Sequence, residues 1–329
     1  MPQAWPWLVV AGAATLVAGR AVLSWLKRRQ ILDFPNERSS HTLPTPRGGG
    51  LATSPVMAAL MLLMGWQARH PLALALGAGT VVLLAVSWID DRRGLAPGPR
   101  FLVQAAMVAL GVTMLAGWVI SPALPWWLDA LLAGLGWLWF VNLYNFMDGI
   151  DGITGIETMS LGGGIAIVAG LAGADPVVAS AALTVAVIGG TFLHFNWHPA
   201  RMFLGDSGSV PFGFVLGGLL AALAAEGQLA AALILPAYYV ADATITLTRR
   251  ALRGEKVWQA HRLHFYQRAV QGGKRHDQVA AIIGAANIVL IGAAALAAMG
   301  LTWVGLGAAI AVVAALLAVL SRWSKGAPA

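Results

Sequence analysis

Leu131-Leu132-Ala133-Gly134-Leu135-Gly136-Trp137-Leu138-Trp139-Phe140-Val141 runs straight into Asn142-Leu143-Tyr144-Asn145-Phe146-Met147-Asp148-Gly149-Ile150-Asp151-Gly152. A second apolar run, Leu161 to Leu171, follows. An apolar segment that halts at two amides and two carboxylates and then resumes reads as two membrane helices meeting at a polar edge. Glycine follows each carboxylate. Amides and carboxylates packed beside a span have the composition of a site for a divalent cation and a phosphate.

Outward from this stretch the pattern repeats. The chain has 329 residues, 58% hydrophobic and 11% charged, against roughly 25% charged in soluble domains. The apolar runs are continuous rather than alternating, which predicts helices and not strands. The expected fold is an all-α polytopic membrane helix bundle, one domain over residues 1–329 with about eleven spans. They fall near 4–26, 51–68, 71–88, 101–120, 126–144, 156–174, 176–193, 210–225, 229–248, 278–299 and 301–321. The first is too long for a signal-peptide core and lacks a basic leader, so it reads as a retained helix. With no cysteine in the chain, disulfides and thiolate metal sites are excluded.

Charge sets the orientation. With these spans, 19 of the 21 Lys and Arg lie on one side, in the first, third, seventh and ninth connectors and the C-terminal tail. The positive-inside rule makes that side cytoplasmic, with the N-terminus periplasmic and the C-terminus cytoplasmic. The net charge of +7 therefore reports topology, and nucleic acid is not an expected partner. Cytoplasmic loops near 27–50, 89–100, 145–155, 194–209 and 249–277 hold nearly all the acids, amides and histidines. The opposite connectors are short, so function faces the cytoplasm.

Five polar clusters share this face. The first holds His41 and then Pro46-Arg47-Gly48-Gly49-Gly50, where glycines entering a helix can bring backbone N–H groups to an anion; a plain juxtamembrane turn is the bland reading. The second is Asp90-Asp91, a repelling pair that a cation or proton must make tolerable, or a solvated helix end with local ion pairs. In the third, Asn142, Asn145 and Asp148 are spaced by three and share a face if the helix continues, with Asp151 extending the row; the alternative is a polar turn. In the fourth, Asn196 and Phe203 lead to Gly205-Asp206-Ser207-Gly208-Ser209, where Asp206 reads as a metal ligand, or Ser207 or Ser209 as a helix cap. The fifth is His261-Arg262-Leu263-His264 with Arg268. Its histidines are one helical turn apart and suit a pyrophosphate; a zinc site is the rival, though it lacks a clear third ligand, and an amphipathic segment on anionic lipid is the bland reading. Carboxylates for magnesium beside cations for phosphates specify phosphoryl transfer better than transport.

In these motifs and their order, the chain resembles the polyprenyl-phosphate N-acetylaminosugar-1-phosphate transferases, glycosyltransferase family 4. The resemblance runs from Asp33 to about Arg268. It rests on Pro-Arg-Gly-Gly-Gly, Asp90-Asp91, Asn142-x-x-Asn145-x-x-Asp148-Gly-x-Asp151-Gly, Leu204-Gly-Asp206-x-Gly-Ser209 and the late histidine loop. It implies transfer of a sugar-1-phosphate from a UDP-N-acetylaminosugar to undecaprenyl phosphate, releasing UMP, at the cytoplasmic face of the bacterial inner membrane. Also implied are magnesium, with manganese as a substitute, on Asp206 and bordered by Asp148. Nucleotide-site positions would be Asn145, Phe146, Asp148 and Asp151, with Asn142, Asn196, Phe203, Arg47 and His41 also on the substrate side. Asp90 and Asp91 would lie near the lipid phosphate, and His261, Arg262, His264 and Arg268 on the pyrophosphate and sugar side. Family members often dimerise, so a homodimer is compatible with the resemblance.

Two departures narrow the branch. The muramyl-pentapeptide translocase has a triple-histidine run where this chain has His261-Arg262-Leu263-His264, and His41 stands where that enzyme has a nucleotide-site lysine. Both favour the O-antigen-initiating branch over peptidoglycan synthesis. The expected mechanism is direct phosphoryl transfer, with Asp90 or Asp91 orienting or deprotonating the acceptor; a covalent aspartyl route is the alternative. Rival classes are a cation-coupled transporter, for which Asp242 is the acid well inside a span, and a non-catalytic lipid-binding anchor.

Overall fold

The structure, a computed structural model, describes residues 5–35, 40, 43–257, 259 and 261–326. His41 lies outside the described residues. The chain forms an all-α polytopic bundle. Its helices are α1 (Trp5–Arg28), α2 (Gly50–Ala68), α3 (Pro71–Arg93), α4 (Pro97–Thr113), α5 (Trp126–Phe146), α6 (Ile153–Ala172) and α7 (Pro176–Asn196). There follow α8 (Asp206–Leu223), α9 (Leu229–Ile234), α10 (Ala237–Leu252), α11 (Phe265–Gln271), α12 (His276–Ala298) and α13 (Thr302–Trp323). Proline at the first position of α3, α4 and α7 presets the helical φ where no N–H is needed. The one sheet among the described residues is a two-residue antiparallel pair, β1 (Leu32–Asp33) with β2 (Thr45–Pro46).

Nine helical segments among the described residues are long and apolar enough to cross a membrane. The remaining expected spans take other forms. The segment predicted at 101–120 is α4, which ends at Thr113; the chain then turns, and Asp129 collects the N–H groups of Val119, Ile120 and Ser121 at 2.8–3.0 Å. The segment predicted at 229–248 is broken. Gly227, at φ 83°, separates α8 from α9, and Pro236, which cannot donate an N–H, separates α9 from α10.

Helix α8 is the axis, with every residue from Ser207 to Leu223 buried. A helix apolar on all sides belongs at the centre of a bundle. In lipid, helices associate through close packing rather than through a hydrophobic drive. Accordingly, a Cβ on Gly50 would lie 2.2 Å from the Gly208 backbone nitrogen, so α2 and α8 cross backbone against backbone. Trp137 of α5 stacks on Phe214 of α8 at 5.3 Å and donates its Nε1–H to the Phe214 carbonyl at 2.8 Å. Asp242 is not the lone buried acid in a span. Glu157 of α6 is fully buried and accepts from Asn287 Nδ2 of α12 at 2.7 Å.

Both ends of the bundle carry polar groups, with different roles. At one end His70 Nε2 faces Asp175 Oδ2 at 3.2 Å, and Glu226 accepts the Asp175 N–H at 2.8 Å; these groups cap helices and join hairpins. At the other end the C-termini of α3, α5 and α7 meet the N-termini of α2, α6, α8 and α12. The described residues of all five polar clusters lie there.

Candidate active site

Asp206 opens α8, and three segments converge on it. Arg47, just after β2, places Nη2 3.1 Å from Asp206 Oδ1 and 2.9 Å from Asp91 Oδ1. Arg100 of α4 places Nη1 3.4 Å from Asp206 Oδ2 and pairs with Asp90 Oδ2. Asp90 Oδ1 also accepts the Leu95 N–H at 2.6 Å. Three carboxylates thus stand together because two guanidiniums lie between them. Burial works against the Arg47 charge, but Asp206 and Asp91 outweigh it and raise its pKa further.

Asp91 also explains how α8 starts. The cap is not Ser207 or Ser209: Asp91 accepts the N–H groups of Asp206 (3.3 Å) and Ser207 (3.0 Å), satisfying orphan donors of the first turn from another helix. The glycines do not cradle an anion. The Gly48 and Gly49 N–H groups donate to the Phe203 carbonyl (3.1 and 2.8 Å) and Gly50 N–H to the Leu204 carbonyl (2.9 Å), strapping the first loop to the fourth. The donors are used, and the missing side chains admit the close approach.

The row Asn142, Asn145, Asp148 does not continue as one helix. α5 ends at Phe146, and the Asp148 N–H closes a turn on the Asn145 carbonyl at 3.2 Å. The row is therefore split between two cavities. A polar cavity of about 400 Å³ is lined by Arg47, Asn145, Asp148, Asp151, Asn196, Phe203, Asp206, Gln267 and His276, among others. A neighbouring cavity of about 340 Å³ is lined by Asp90, Arg100, Phe101, Asn142, Asn145, Phe146 and Asp206, with Leu83, Val86 and Val210 as apolar wall. Asn145 and Asp206 line both. Phe146, expected on the nucleotide wall with Asp148 and Asp151, faces the second cavity instead.

Each wall is fixed by its own bonds. Asn145 Nδ2 donates to Ser209 Oγ at 2.9 Å, tying α5 to α8. Asn196 accepts the Gly152 N–H at 2.9 Å and donates to the Met202 carbonyl at 3.0 Å, so its side chain pins two loops. Asp148 accepts from Thr154 Oγ1. Burial pushes its carboxyl up to about 6; the Thr154 bond opposes this and the nearby Asp206 adds to it.

The late loop stands apart. His261, Arg262, His264 and Arg268 line neither cavity. His261 and His264 are not on a helix; His264 is the N-cap of α11, with the two rings 4.9 Å apart. His264 is buried and its Nδ1 lies 3.0 Å from Asp242 Oδ1. Asp242 also accepts from Tyr238 Oη, Thr246 Oγ1 and the N–H groups of Phe265 and Tyr266, at 3.1–3.4 Å. An acid with five partners is a structural anchor, not a relay for a transported ion. Burial, His264 and Arg250 lower His261 to about 4, so it is neutral at physiological pH. Arg268 is exposed on α11, and the Arg262 carbonyl accepts from Gln271 Nε2 at 2.7 Å.

The loop reaches the site through other residues. Tyr266 Oη donates to the Phe146 carbonyl at 3.2 Å, and Gln267 lines the polar cavity. Both press on Gly149, where a Cβ would lie 2.3 Å from Tyr266 Oη and 2.7 Å from Gln267 Nε2. Gln267, Arg100, His198 and His276 were not singled out by their sequence. Arg100 follows Asp90-Asp91 in the same short connector, after Arg92 and Arg93; His198 lies between Asn196 and Phe203 and Gln267 between His264 and Arg268, inside two of the clusters, and His276 lies outside all five.

A multi-pass bundle whose polar end gathers carboxylates and guanidiniums between a polar and an apolar-walled cavity is built as a membrane-embedded transferase. Comparison with known proteins identifies the lineage. A model of glycosyl transferase family 4 matches residues 73–224. A phospho-N-acetylmuramoyl-pentapeptide-transferase of Synechococcus sp. is 30% identical, over 87% of this chain and 89% of its own. A decaprenyl-phosphate N-acetylglucosaminephosphotransferase of Mycolicibacterium smegmatis is 27% identical over 97% and 90%. A probable undecaprenyl-phosphate N-acetylglucosaminyl 1-phosphate transferase of Bacillus subtilis is 26% identical over 84% and 81%. The chain belongs to glycosyl transferase family 4, within the polyprenyl-phosphate sugar-1-phosphate transferase superfamily, and is an enzyme of that class.

Proposed function

We propose that this enzyme transfers an N-acetylaminosugar-1-phosphate from a UDP-sugar to undecaprenyl phosphate, releasing UMP, at the cytoplasmic face of a bacterial plasma membrane. The carrying observation is the pair of cavities sharing Asn145 and Asp206. The polar one suits a water-soluble nucleotide donor. The other continues through Phe101, Asn142 and Phe146 into an apolar groove of about 360 Å³, and past Trp139 along α5, α9 and α10. A lipid tail in that groove brings its phosphate to Arg100, Asp90 and Asp206. Donor and acceptor then meet where the cavities join, and much of the rate comes from that positioning.

The residues fit magnesium. Asp206, Asp90 and Asp91 offer only oxygen, the donor a hard cation prefers, and they are already arranged around positive charge. Asp206 would hold the ion, with Asp148 at its border. When bound, the ion neutralises charge on the pyrophosphate. Arg47 and Arg100 would pair with the phosphates in place of the carboxylates they hold here, and Asp90 or Asp91 would orient the acceptor. The form of the late histidine loop is the ground for proposing the O-antigen-initiating branch; relatives named for N-acetylglucosamine support that sugar as a donor to try first.

The test is one assay: membranes containing the enzyme, undecaprenyl phosphate, magnesium and a panel of UDP-amino sugars beginning with UDP-GlcNAc. Lipid-dependent UMP release is expected with at least one donor. Its absence with all of them rejects the reading.

A further inference from the structure

Asp151 is held in an unusual way. His198 Nδ1 lies 2.7 Å from Asp151 Oδ2, and the Ala200 N–H donates to the same oxygen at 3.2 Å. His276 reaches both the backbone of Asp151 and the same oxygen, its Nδ1 lying 3.3 Å from Oδ2. Its Nδ1 accepts the Asp151 backbone N–H at 3.2 Å, and its Nε2 faces the Ser40 carbonyl at 3.1 Å. The carbonyl cannot donate, so Nε2 carries the proton and Nδ1 is the free acceptor. The rings lie 5.0 Å apart. These groups come from four segments: the first loop, the turn after α5, the loop after α7 and the start of α12. The side-chain contacts that Asp151 makes among the described residues fall on Oδ2. Asp151 lines the polar cavity, and Oδ1 is not among the buried atoms without a partner.

We infer that His198 and His276 are positioning residues for the donor nucleotide. His198 saturates one oxygen of Asp151 and His276 fixes its backbone, so that Oδ1 is presented to the cavity as a fixed acceptor for an N–H of the base. The inference rests on the donor-site reading above. A neutral uracil ring carries one such group, its imide N–H; cytosine has a lone pair at that position and is repelled by a carboxylate. A site whose acceptor is left unpaired by the wrong base discriminates well. The ligand atoms of Asp151, His198 and His276 also lie within 4.8 Å of one another, a spacing that suits a metal ion. The hydrogen bonds above already engage Asp151 Oδ2 and the Nδ1 atoms of both histidines, and a metal would need the His276 Nδ1 lone pair that the Asp151 N–H occupies.

The experiment uses purified full-length protein and measures binding of UMP and CMP by calorimetry, together with donor KM and kcat and zinc content. Wild type is expected to bind UMP more tightly than CMP. His198→Ala should weaken UMP binding and raise donor KM by about 10- to 100-fold, with kcat changed by less than about 3-fold and CMP binding little affected. His198→Asn, whose amide N–H overlays Nδ1, should recover most of the UMP affinity. If His198→Ala does not fold, His198→Asn against His198→Leu carries the same comparison. Equal loss of UMP and CMP binding, an unchanged UMP affinity, or failure of His198→Asn to rescue would overturn the clamp. So would stoichiometric zinc in wild type that His198→Ala loses. Wild type that binds neither nucleotide would instead reject the donor-site reading on which the clamp depends.

Discussion

Arg47 reaches Asp206 across 159 residues of chain, its Nη2 3.1 Å from Oδ1. With Arg100 on the other oxygen, this places protein cations where the chemistry calls for a metal and phosphates. The arginines make the carboxylate cluster tolerable in the ligand-free protein and are already in place to receive phosphate when it arrives. Arg47→Ala should therefore do two opposite things. Activity should drop by about 10²-fold or more, the scale for losing one transition-state charge partner. Magnesium should raise the melting temperature of the variant more than that of wild type, because its competitor is gone. A smaller magnesium shift in the variant would mean that the cation does not bind among these carboxylates.

Asp206→Asn separates metal binding from folding. Asn keeps an oxygen near Arg47 and Arg100, so the bundle should still assemble. Activity is expected to fall by about 10³-fold, and the magnesium-induced rise in melting temperature should vanish. Near-normal turnover, or an intact magnesium shift, would move the ion to Asp90 or Asp91.

Continuous apolar runs and one-sided basic loops were enough to show the bundle, because lipid forces backbone groups to pair within each helix. The breaks were less legible: Pro236 and Gly227 interrupt apolar stretches whose composition alone reads as unbroken. At the site, Asp90, Asp91, Asn145, Asp148, Asp151 and Asp206 stood out because carboxylates and amides beside a span are costly. Their division between two cavities did not, since it depends on where α5 stops. His198, inside the fourth cluster, and His276, outside all five, carried no mark of a link to Asp151, because only the tertiary fold brings them to it. The glycine run was legible as special and was misread, since a backbone crossing and an anion cradle ask for the same residue type.

That crossing makes a stability prediction. Gly50→Ala puts a methyl group 2.2 Å from the Gly208 nitrogen and from the Ser207 carbonyl carbon, both backbone atoms at the start of α8. Neither can move without displacing Asp206. Thermal unfolding followed by tryptophan fluorescence should show a loss of about 1–3 kcal/mol, as for overpacking elsewhere, together with reduced activity. Gly163→Ala, whose Cβ would meet nothing within 4 Å, is the control and should be neutral or slightly stabilising. Equal effects of the two would show that the α2–α8 approach is not tight.

Asp148 links stability to pH in a direction opposite to most carboxylates. Burial lifts it from 3.8 to about 6. Between those values the folded protein binds a proton that the unfolded chain does not, so this group favours folding below about pH 4. The contribution is lost as pH rises through 4 to 6. Above pH 6 the ionised carboxylate is retained at a cost of at most about 3 kcal/mol, two pKa units at 1.36 each. Asp148→Asn removes that cost while keeping an acceptor for Thr154. The variant should therefore melt a few degrees above wild type at pH 7.5 and show little difference at pH 4.5, while losing most of its activity. Such a trade of stability for function is what a charged group held in a buried site should produce. A variant that melts lower than wild type at pH 7.5 would instead show that the carboxylate is stabilised in the folded protein, with Arg47 prevailing over burial.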